Sequence, residues 1–334
     1  MRMPKVTVLT AVYNAEATLP KCLDSLLGQS LADIEIIAVD DASTDGSAEV
    51  LARYAATDER LKVFRQPANG GQAKARNLAL QHATGDFICM VDADDWLATD
   101  ALEKTWLVSQ QHADADAILF RLMLVYPDGR EVAFPNLSDE REHRSLEGKE
   151  AMRLSLRWQI HGLYLIRADI HKAYPYDDSA RLYSDDNTTR LHYLHSRRVY
   201  FSDGIYYYFQ NPASTTQRVS ALYFESLRAQ RHMRDMLHDE GIADDIIADY
   251  EQYRWMQLVD NCYYLALHHD AFTPDERRSA RQLIDDTYHS FPTTLPTPPK
   301  FGYRRMHSFR AFWLQEQLYF TLRRLTGRMK KNEK

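Results

Sequence analysis

In the N-terminal third of the chain the apolar positions follow two spacings. Val6-Thr-Val-Leu-Thr-Ala-Val12 is a β-branched run, whereas Leu19, Cys22, Leu23, Leu26 and Leu27 recur every three or four residues, as on one helix face. The same pair of patterns repeats. Ile34–Val39 and Leu61–Phe64 predict strands and Ala48–Tyr54 a helix; Asn69-Gly70-Gly71 is a turn, Gln72–His82 a helix, and Asp86–Val91 a strand ending in acidic residues. Continuous apolar strands separated by helices predict an α/β fold with a mostly parallel sheet flanked by helices. Ligands of such sheets bind beyond the carboxyl ends of the strands, where the polar clusters after Val12, Val39 and Val91 all fall.

Further along, Ala115–Val125 and Val199–Phe209 predict strands, and Pro127-Asp128-Gly129 a hairpin turn. The charged stretch from Asp139 to Glu150 reads as a loop. Beyond Leu222 the pattern turns helical, over Tyr223–His238, Ala243–His268 and Pro274–His289. The prolines of 291–300 exclude a helix there and predict an extended linker. A basic, aromatic amphipathic helix then runs over about Arg304–Arg324. The expected divisions are 1–218, 219–290, the linker 291–300, and the C-terminal segment 301–334.

Composition sharpens this picture in two ways. The chain has 334 residues, a formal charge of −6 and three well-separated cysteines (Cys22, Cys89, Cys262), so neither a disulfide framework nor a cysteine zinc site is expected. The balance gives no reason to expect nucleic acid as a partner. Without a signal-like core or a run long enough to span a bilayer, a cytoplasmic place is expected. The charge is also unevenly distributed. Residues 300–334 carry ten Lys/Arg against two Glu, an excess of eight, which leaves the preceding part at −14.

Three segments carry candidate chemistry. In Val91-Asp92-Ala93-Asp94-Asp95-Trp96, residues two apart in an extended stretch point the same way, so Asp92 and Asp94 are placed to hold a divalent ion. The alternative is a helix start at Trp96 capped by Asp94 or Asp95. Asp40 ends a strand as a hydrogen-bond acceptor for a base or ribose, whereas Ser43, Thr44 and Asp45 suit turns and caps. Asn69-Gly-Gly-Gln-Ala-Lys74-Ala-Arg76 opens a helix with two cations, either a diphosphate cradle or a solvated face.

Together these blocks resemble glycosyltransferase family 2, inverting nucleotide-sugar transferases of the GT-A fold. The residues that carry the resemblance are Thr10-Ala-Val-Tyr13-Asn14, Ile37-Ala-Val-Asp40-Asp41-Ala-Ser-Thr-Asp45-Gly46, Asn69–Asn77, Thr84-Gly85-Asp86-Phe87 and Val91–Asp95. It implies that Tyr13 and Asp40 contact the uracil and ribose side of a UDP-sugar. Asn69, Lys74, Arg76 and the Asp92-Ala93-Asp94 segment would then lie along the nucleotide. Mn²⁺ or Mg²⁺ would sit on Asp94, with Asp92 assisting. Asp185-Asp186 resembles the family's Glu-Asp pair, with Asp185 replacing Glu and Asp186 in the place of the base; capping of the next helix is the alternative. Trp158 and His161 correspond to a segment beside acceptor and sugar, although a structural histidine fits His161 equally. Tyr206–Arg218 resembles a loop that closes over the donor, with Phe209 and Gln210 where members often place a cation.

The activity so implied is metal-assisted sugar transfer to a glycan or lipid-linked acceptor of a surface polysaccharide. A silent nucleotide-sugar-binding or scaffold protein is the alternative. A sugar nucleotidyltransferase fits less well, because no Gly-rich basic loop follows Val12. The C-terminal helix, with Phe309, Phe312, Trp313, Leu318, Tyr319 and Leu322 among arginines, suits peripheral contact with an anionic membrane's inner face. Packing on the helical region or on a second subunit of a homodimer is the other reading.

Overall fold

The computed structural model describes residues 4–134, 145–212, 214, 218–292 and 308–328. Two compact units result, Met1–Asp178 with Asp185–Ala213, and Ser179–Ser184 with Ser214–Lys334.

The first unit is built on a single sheet. Its strands are β1 (Val6–Val12), β2 (Ile34–Asp40), β3 (Leu61–Arg65), β4 (Phe87–Met90), β5 (Trp96–Leu97), β6 (Ala115–Val125), β7 (Glu131–Ala133), β8 (Leu146–Glu147), β9 (Tyr164–Arg167) and β10 (Arg198–Phe209). The helices between them are α1 (Leu19–Leu27), α2 (Ser47–Ala55), α3 (Gln72–Gln81), α4 (Ala101–Gln111), α5 (Gly148–Ser155), α6 (Ala168–Ala173) and α7 (Asp185–Leu194). The strand order is β3-β2-β1-β4-β9-β6-β10-β5, with β7 beside β6 and β8 beside β10. The half β3-β2-β1-β4 is wholly parallel, as the apolar runs predict. The sheet as a whole is mixed. Strand β9, too short for a periodic signal, inserts antiparallel between β4 and β6, while β6 and β10 pair parallel.

Burial explains the sequence pattern. Every residue of β2 and all but one of β1 are buried, because helices cover the sheet. Leu19, Cys22, Leu23 and Leu26 of α1 enter the same core as Ala101 and Leu102 of α4. At the carboxyl ends of β1 and β2 the backbone becomes left-handed at Asn14 (φ 48°) and Ala42 (φ 59°), an uncommon conformation for non-glycine residues. The two loops hold each other there: Asn14 N–H donates to Ser43 Oγ (3.0 Å), Thr44 N–H to Asn14 Oδ1 (2.8 Å) and Ala15 N–H to Ser47 Oγ (2.9 Å).

The segment Asp139–Glu150, expected as loop, contains β8 and the start of α5; residues 135–144 lie outside the described residues. The hairpin at Pro127–Gly129 is present as the antiparallel β6–β7 pair.

The second unit contains α8 (Glu225–Asp239), α9 (Asp244–Leu267), α10 (Pro274–Ser290) and α11 (Phe309–Leu325). Thr273 and Glu276 form a reciprocal capping box that starts α10. Its core joins Phe224, Trp255, Leu258, Cys262, Ile284, Phe312 and Phe320, so α11 packs within this unit. Most of the expected linker, 293–300, lies outside the described residues, as do 301–307 and 329–334 of the C-terminal segment. Among the described residues no helix is long and apolar enough to cross a membrane.

Candidate active site

The chain leaving β4 turns at once, with Asp95 N–H donating to Asp92 C=O (3.0 Å). No helix starts at Trp96: Trp96 and Leu97 form β5 against Tyr207 and Tyr206 of β10, which corrects the capping alternative. Asp95 is instead a buried tie between this turn and β10, accepting from Tyr206 Oη (2.8 Å) and from Phe209 N–H (2.7 Å). Tyr206 Oη in turn accepts the Asp92 N–H (3.2 Å). The rest of the acidic run is therefore held in place by a tyrosine more than a hundred residues downstream.

Asp94 accepts from Asn211 Nδ2 (3.0 Å). Burial, and after it the charge of Asp92, raises its carboxyl above the ordinary range. Crowded carboxylates of this kind favour a bound cation. Among the described residues no three His, Cys, Asp or Glu side chains form a metal cage. Asp94 fits a single-carboxylate foothold for a divalent ion whose other ligands come from a diphosphate. Asp92 is less free, and Arg76 is the reason.

Arg76 is fully buried on α3. Its Nη2 lies 2.7 Å from Asp92 Oδ1 and its Nη1 3.2 Å from Asp185 Oδ2, and Nη2 also donates to Gln72 Oε1 (3.2 Å). Burial alone would weaken its charge, but Asp92 and then Asp185 outweigh that and raise its pKa. This corrects the expected joint cradle of Lys74 and Arg76. Residues two apart on a helix lie about 200° apart around it, so Lys74 is exposed while Arg76 points inward. Arg76 therefore joins the acidic turn after β4 to the start of α7, two segments that sequence reading treated separately.

Asp185 and Asp186 occupy the first turn of α7. Asp185 is held by Arg76, with Gln72 Nε2 at 3.4 Å. Asp186 lies 3.9 Å from Arg190 Nη2. Burial pushes its carboxyl up to about 7 against the pull of Arg190, with Asp185 adding to the rise and a hydrogen bond from Trp158 opposing it. Trp158 donates that bond from a left-handed backbone (φ 56°) and remains 47% exposed. Neither Arg190 nor the Trp158–Asp186 bond was legible in the sequence; Arg190 at i+4 from Asp186 was the available signal.

The remaining candidates divide. Asp40 is buried at the end of β2; its Oδ1 accepts from Ser43 N–H (2.9 Å), and its Oδ2 has Arg65 Nε at 3.2 Å but no hydrogen-bond donor. Tyr13 is half exposed and directly follows Val12, the β1 partner of Asp40. Asn69 is exposed and Ala93 buried. Asp41 accepts from the N–H groups of Gly70 and Gly71 (both 2.8 Å) and shapes that turn. The expectation of ligand contact for His161 meets a competing use: both ring nitrogens bond backbone, Nε2 to Phe120 C=O (3.0 Å) and Nδ1 to Leu163 N–H (3.1 Å). Burial lowers its pKa to about 4, so the ring is neutral. Of the expected donor loop, 213 and 215–217 lie outside the described residues, and Arg218 is exposed.

A cleft of about 200 Å³ opens beside these carboxylates. Asp92, Asp185 and Asp186 line it together with Trp158, Tyr164 and Tyr208. His171, on its wall, was not singled out from the sequence; both its ring nitrogens lack a hydrogen-bond partner. One acidic rim with an aromatic, largely apolar interior is thus assembled from β4, β9, β10 and α7. Such a hollow can hold a sugar-sized ligand against a carboxylate poised to take a proton.

The model of glycosyl transferase family 2 matches residues 7–174, and the chain belongs to that family. An uncharacterized glycosyltransferase of Haemophilus influenzae is 45% identical over 104 residues, 31% of this chain and 42% of that protein. The uncharacterized glycosyltransferase EpsJ of Bacillus subtilis is 31% identical over 222 residues, 64% of each. A poly(ribitol-phosphate) beta-glucosyltransferase of Bacillus spizizenii is 38% identical over 111 residues, 32% of this chain and 18% of that one. The chain therefore spans less than two thirds of these relatives' lengths.

Among solved structures, S. aureus TarS 1-349 in complex with UDP-GlcNAc superposes with a TM-score of 0.65 at 21% identity, covering 86% of this chain and 82% of that one. The mannosyltransferase PcManGT of Pyrobaculum calidifontis, in complex with GDP-Man and Mn²⁺, gives 0.54 at 18% identity, covering 97% and 88%. These likenesses establish the fold, GT-A.

Proposed function

We propose that this chain transfers a sugar from a UDP-sugar to a hydroxyl of a glycan or lipid-linked acceptor in the making of a surface polysaccharide, with inversion at the anomeric carbon. The observation that carries the reading is Asp186. A carboxyl pushed up to about 7, on the wall of a cleft shared with Asp92 and Asp185, has the basicity to receive the acceptor's proton. As the acceptor oxygen bonds to the anomeric carbon, its proton passes to Asp186 and the bond to the diphosphate oxygen breaks. Asp186 is the general base, and Asp185, fixed by Arg76, raises its basicity.

Asp94, with Asp92 behind it, is the foothold for Mn²⁺ or Mg²⁺, which when bound neutralises charge on the departing diphosphate. Asp40, buried with its Oδ2 beside Arg65 Nε, and Tyr13 are assigned to the uridine; Asn69, Lys74 and the backbone at Ala93 flank the nucleotide. Trp158 offers the sugar a ring face as well as orienting the base. A nucleoside diphosphate sugar as donor is supported by the ligands named for TarS and PcManGT, and a polymer acceptor by the name of the Bacillus spizizenii relative.

A panel of UDP-sugars and GDP-mannose incubated with Mn²⁺ tests the proposal. Slow release of nucleoside diphosphate from one UDP-sugar, hastened by an acceptor glycan, is the expected result. Tight donor binding without release, in the presence of acceptor, identifies a silent binding protein instead.

A further inference from the structure

Helix α11 is amphipathic on two sides. Its inward face, Phe309, Phe312, Glu316 and Phe320, is buried. Phe312 packs at 5.6 Å from the Trp255 ring and 5.1 Å from that of Tyr288, and Phe320 at 5.6 Å from Tyr263. The aromatic residues noted in the sequence are thus largely spent on holding α11 to α9 and α10. A second stripe remains. Leu314, Leu318, Leu322 and Leu325, spaced by four, four and three residues, are 68%, 64%, 53% and 78% exposed. Single exposed leucines are ordinary, but four along one helix face form a continuous apolar band.

The charges around the band select its partner. Arg310 and Arg324 on the helix, and Arg328 just beyond it, are exposed. Glu316 is the one acid within Phe309–Leu325 and is buried, so the exposed surface of α11 carries cations only. Two copies meeting through this band about a twofold axis would bring arginines against arginines. An anionic lipid surface offers apolar depth to the leucines and counter-charge to the arginines together.

We propose that the outward face of α11 is a docking surface for anionic bilayers, used without α11 leaving its bundle. The leucines enter the boundary between headgroups and acyl chains, and Arg310, Arg324 and Arg328 bind phosphate oxygens of the headgroups. The aromatic inward face keeps the helix folded beforehand, so binding needs no coil-to-helix transition. The site is independent of the transferase chemistry, and its test does not depend on turnover.

Flotation of the full chain with vesicles provides the test. Partition into vesicles of phosphatidylglycerol and phosphatidylcholine is expected to exceed that into pure phosphatidylcholine at least tenfold, and to fall as salt is raised. Leu318→Ser with Leu322→Ser is expected to cut partition about tenfold while melting temperature and donor hydrolysis in buffer stay unchanged. Arg310→Gln with Arg324→Gln is expected to remove the preference for the anionic lipid. Equal partition of the wild type into both vesicles, or undiminished binding by the leucine variant, overturns the proposal. A wild-type dimer that the leucine variant converts to monomer, without vesicle binding, also overturns it and assigns the band to a second copy.

Discussion

Arg76 Nη2 stands 2.7 Å from Asp92 Oδ1, so the first carboxylate of the Asp-x-Asp segment is neutralised by a buried guanidinium from the same chain. The second, Asp94, is instead held by the neutral amide of Asn211 (3.0 Å). The two acids of one motif therefore have different tasks. Asp92 fixes geometry through Arg76, and the proposed contact with a metal falls to Asp94.

Replacing Arg76 should accordingly damage structure and site together. Arg76→Met leaves Asp92 and Asp185 facing each other without a partner, a loss on the order of 3 kcal/mol for a broken buried pair. Arg76→Lys keeps the charge but not the two-pronged reach, and should lower turnover more than stability. Calorimetric melting beside a turnover assay separates the two, and an unchanged melting temperature in Arg76→Met would refute the bridging role.

Asp94→Ala should weaken UDP binding in the presence of Mn²⁺ and leave the weaker metal-free binding nearly intact. Titration calorimetry with and without chelator reads both. Equal affinity of variant and wild type with metal present removes Asp94 from the site.

Asp186→Asn should preserve donor affinity and lower turnover by roughly 10²–10⁴-fold, the usual worth of a general base. A base works deprotonated, so wild-type turnover should rise with pH through about 7 and then level. The Trp158 hydrogen bond favours the charged form of Asp186. Trp158→Phe should therefore move that rising limb to higher pH, whereas a purely steric role for the ring would leave it in place.

How far the sequence revealed this site depends on whether a residue's task is local. The strand-end clusters were legible because runs such as Ile34–Val39 are buried on both faces and their polar sequels must lie at the sheet edge. The expectation that a helix follows Asp185-Asp186 holds, since both lie in the first turn of α7. Contacts made across the fold were not legible. The task of Asp41 is not local, because its partners, Gly70 and Gly71, lie about thirty residues on. Asp95 looked like a helix cap until Tyr206 and Phe209 arrived to occupy both of its oxygens. Trp158 was singled out through the resemblance, but its bond to Asp186 depends on a left-handed backbone that has no compositional mark. His161 was open to two readings, and only its two backbone bonds distinguish them.

Glu316 permits a test of the helical unit alone. It is buried with both oxygens unbonded, near Cys262 of α9, and burial pushes its carboxyl up from 4.5 to about 7. Between those values the folded chain holds a proton that the unfolded chain releases, so stability falls as pH rises across the window and then levels. Glu316→Gln should match wild type below pH 4.5 and exceed it at pH 8 by about 1–3 kcal/mol. Denaturant melts at a series of pH values check this; parallel profiles would exclude a neutral buried Glu316.

Strand β9 has a consequence for biosynthesis. Because it lies between β4 and β6, the free side of β4 cannot be covered until residues 164–167 have been made. A ribosome-bound or proteolysed chain ending before them would present a bare row of amide and carbonyl groups, a ready template for aggregation. Any shortened version of this protein should therefore be cut beyond β9.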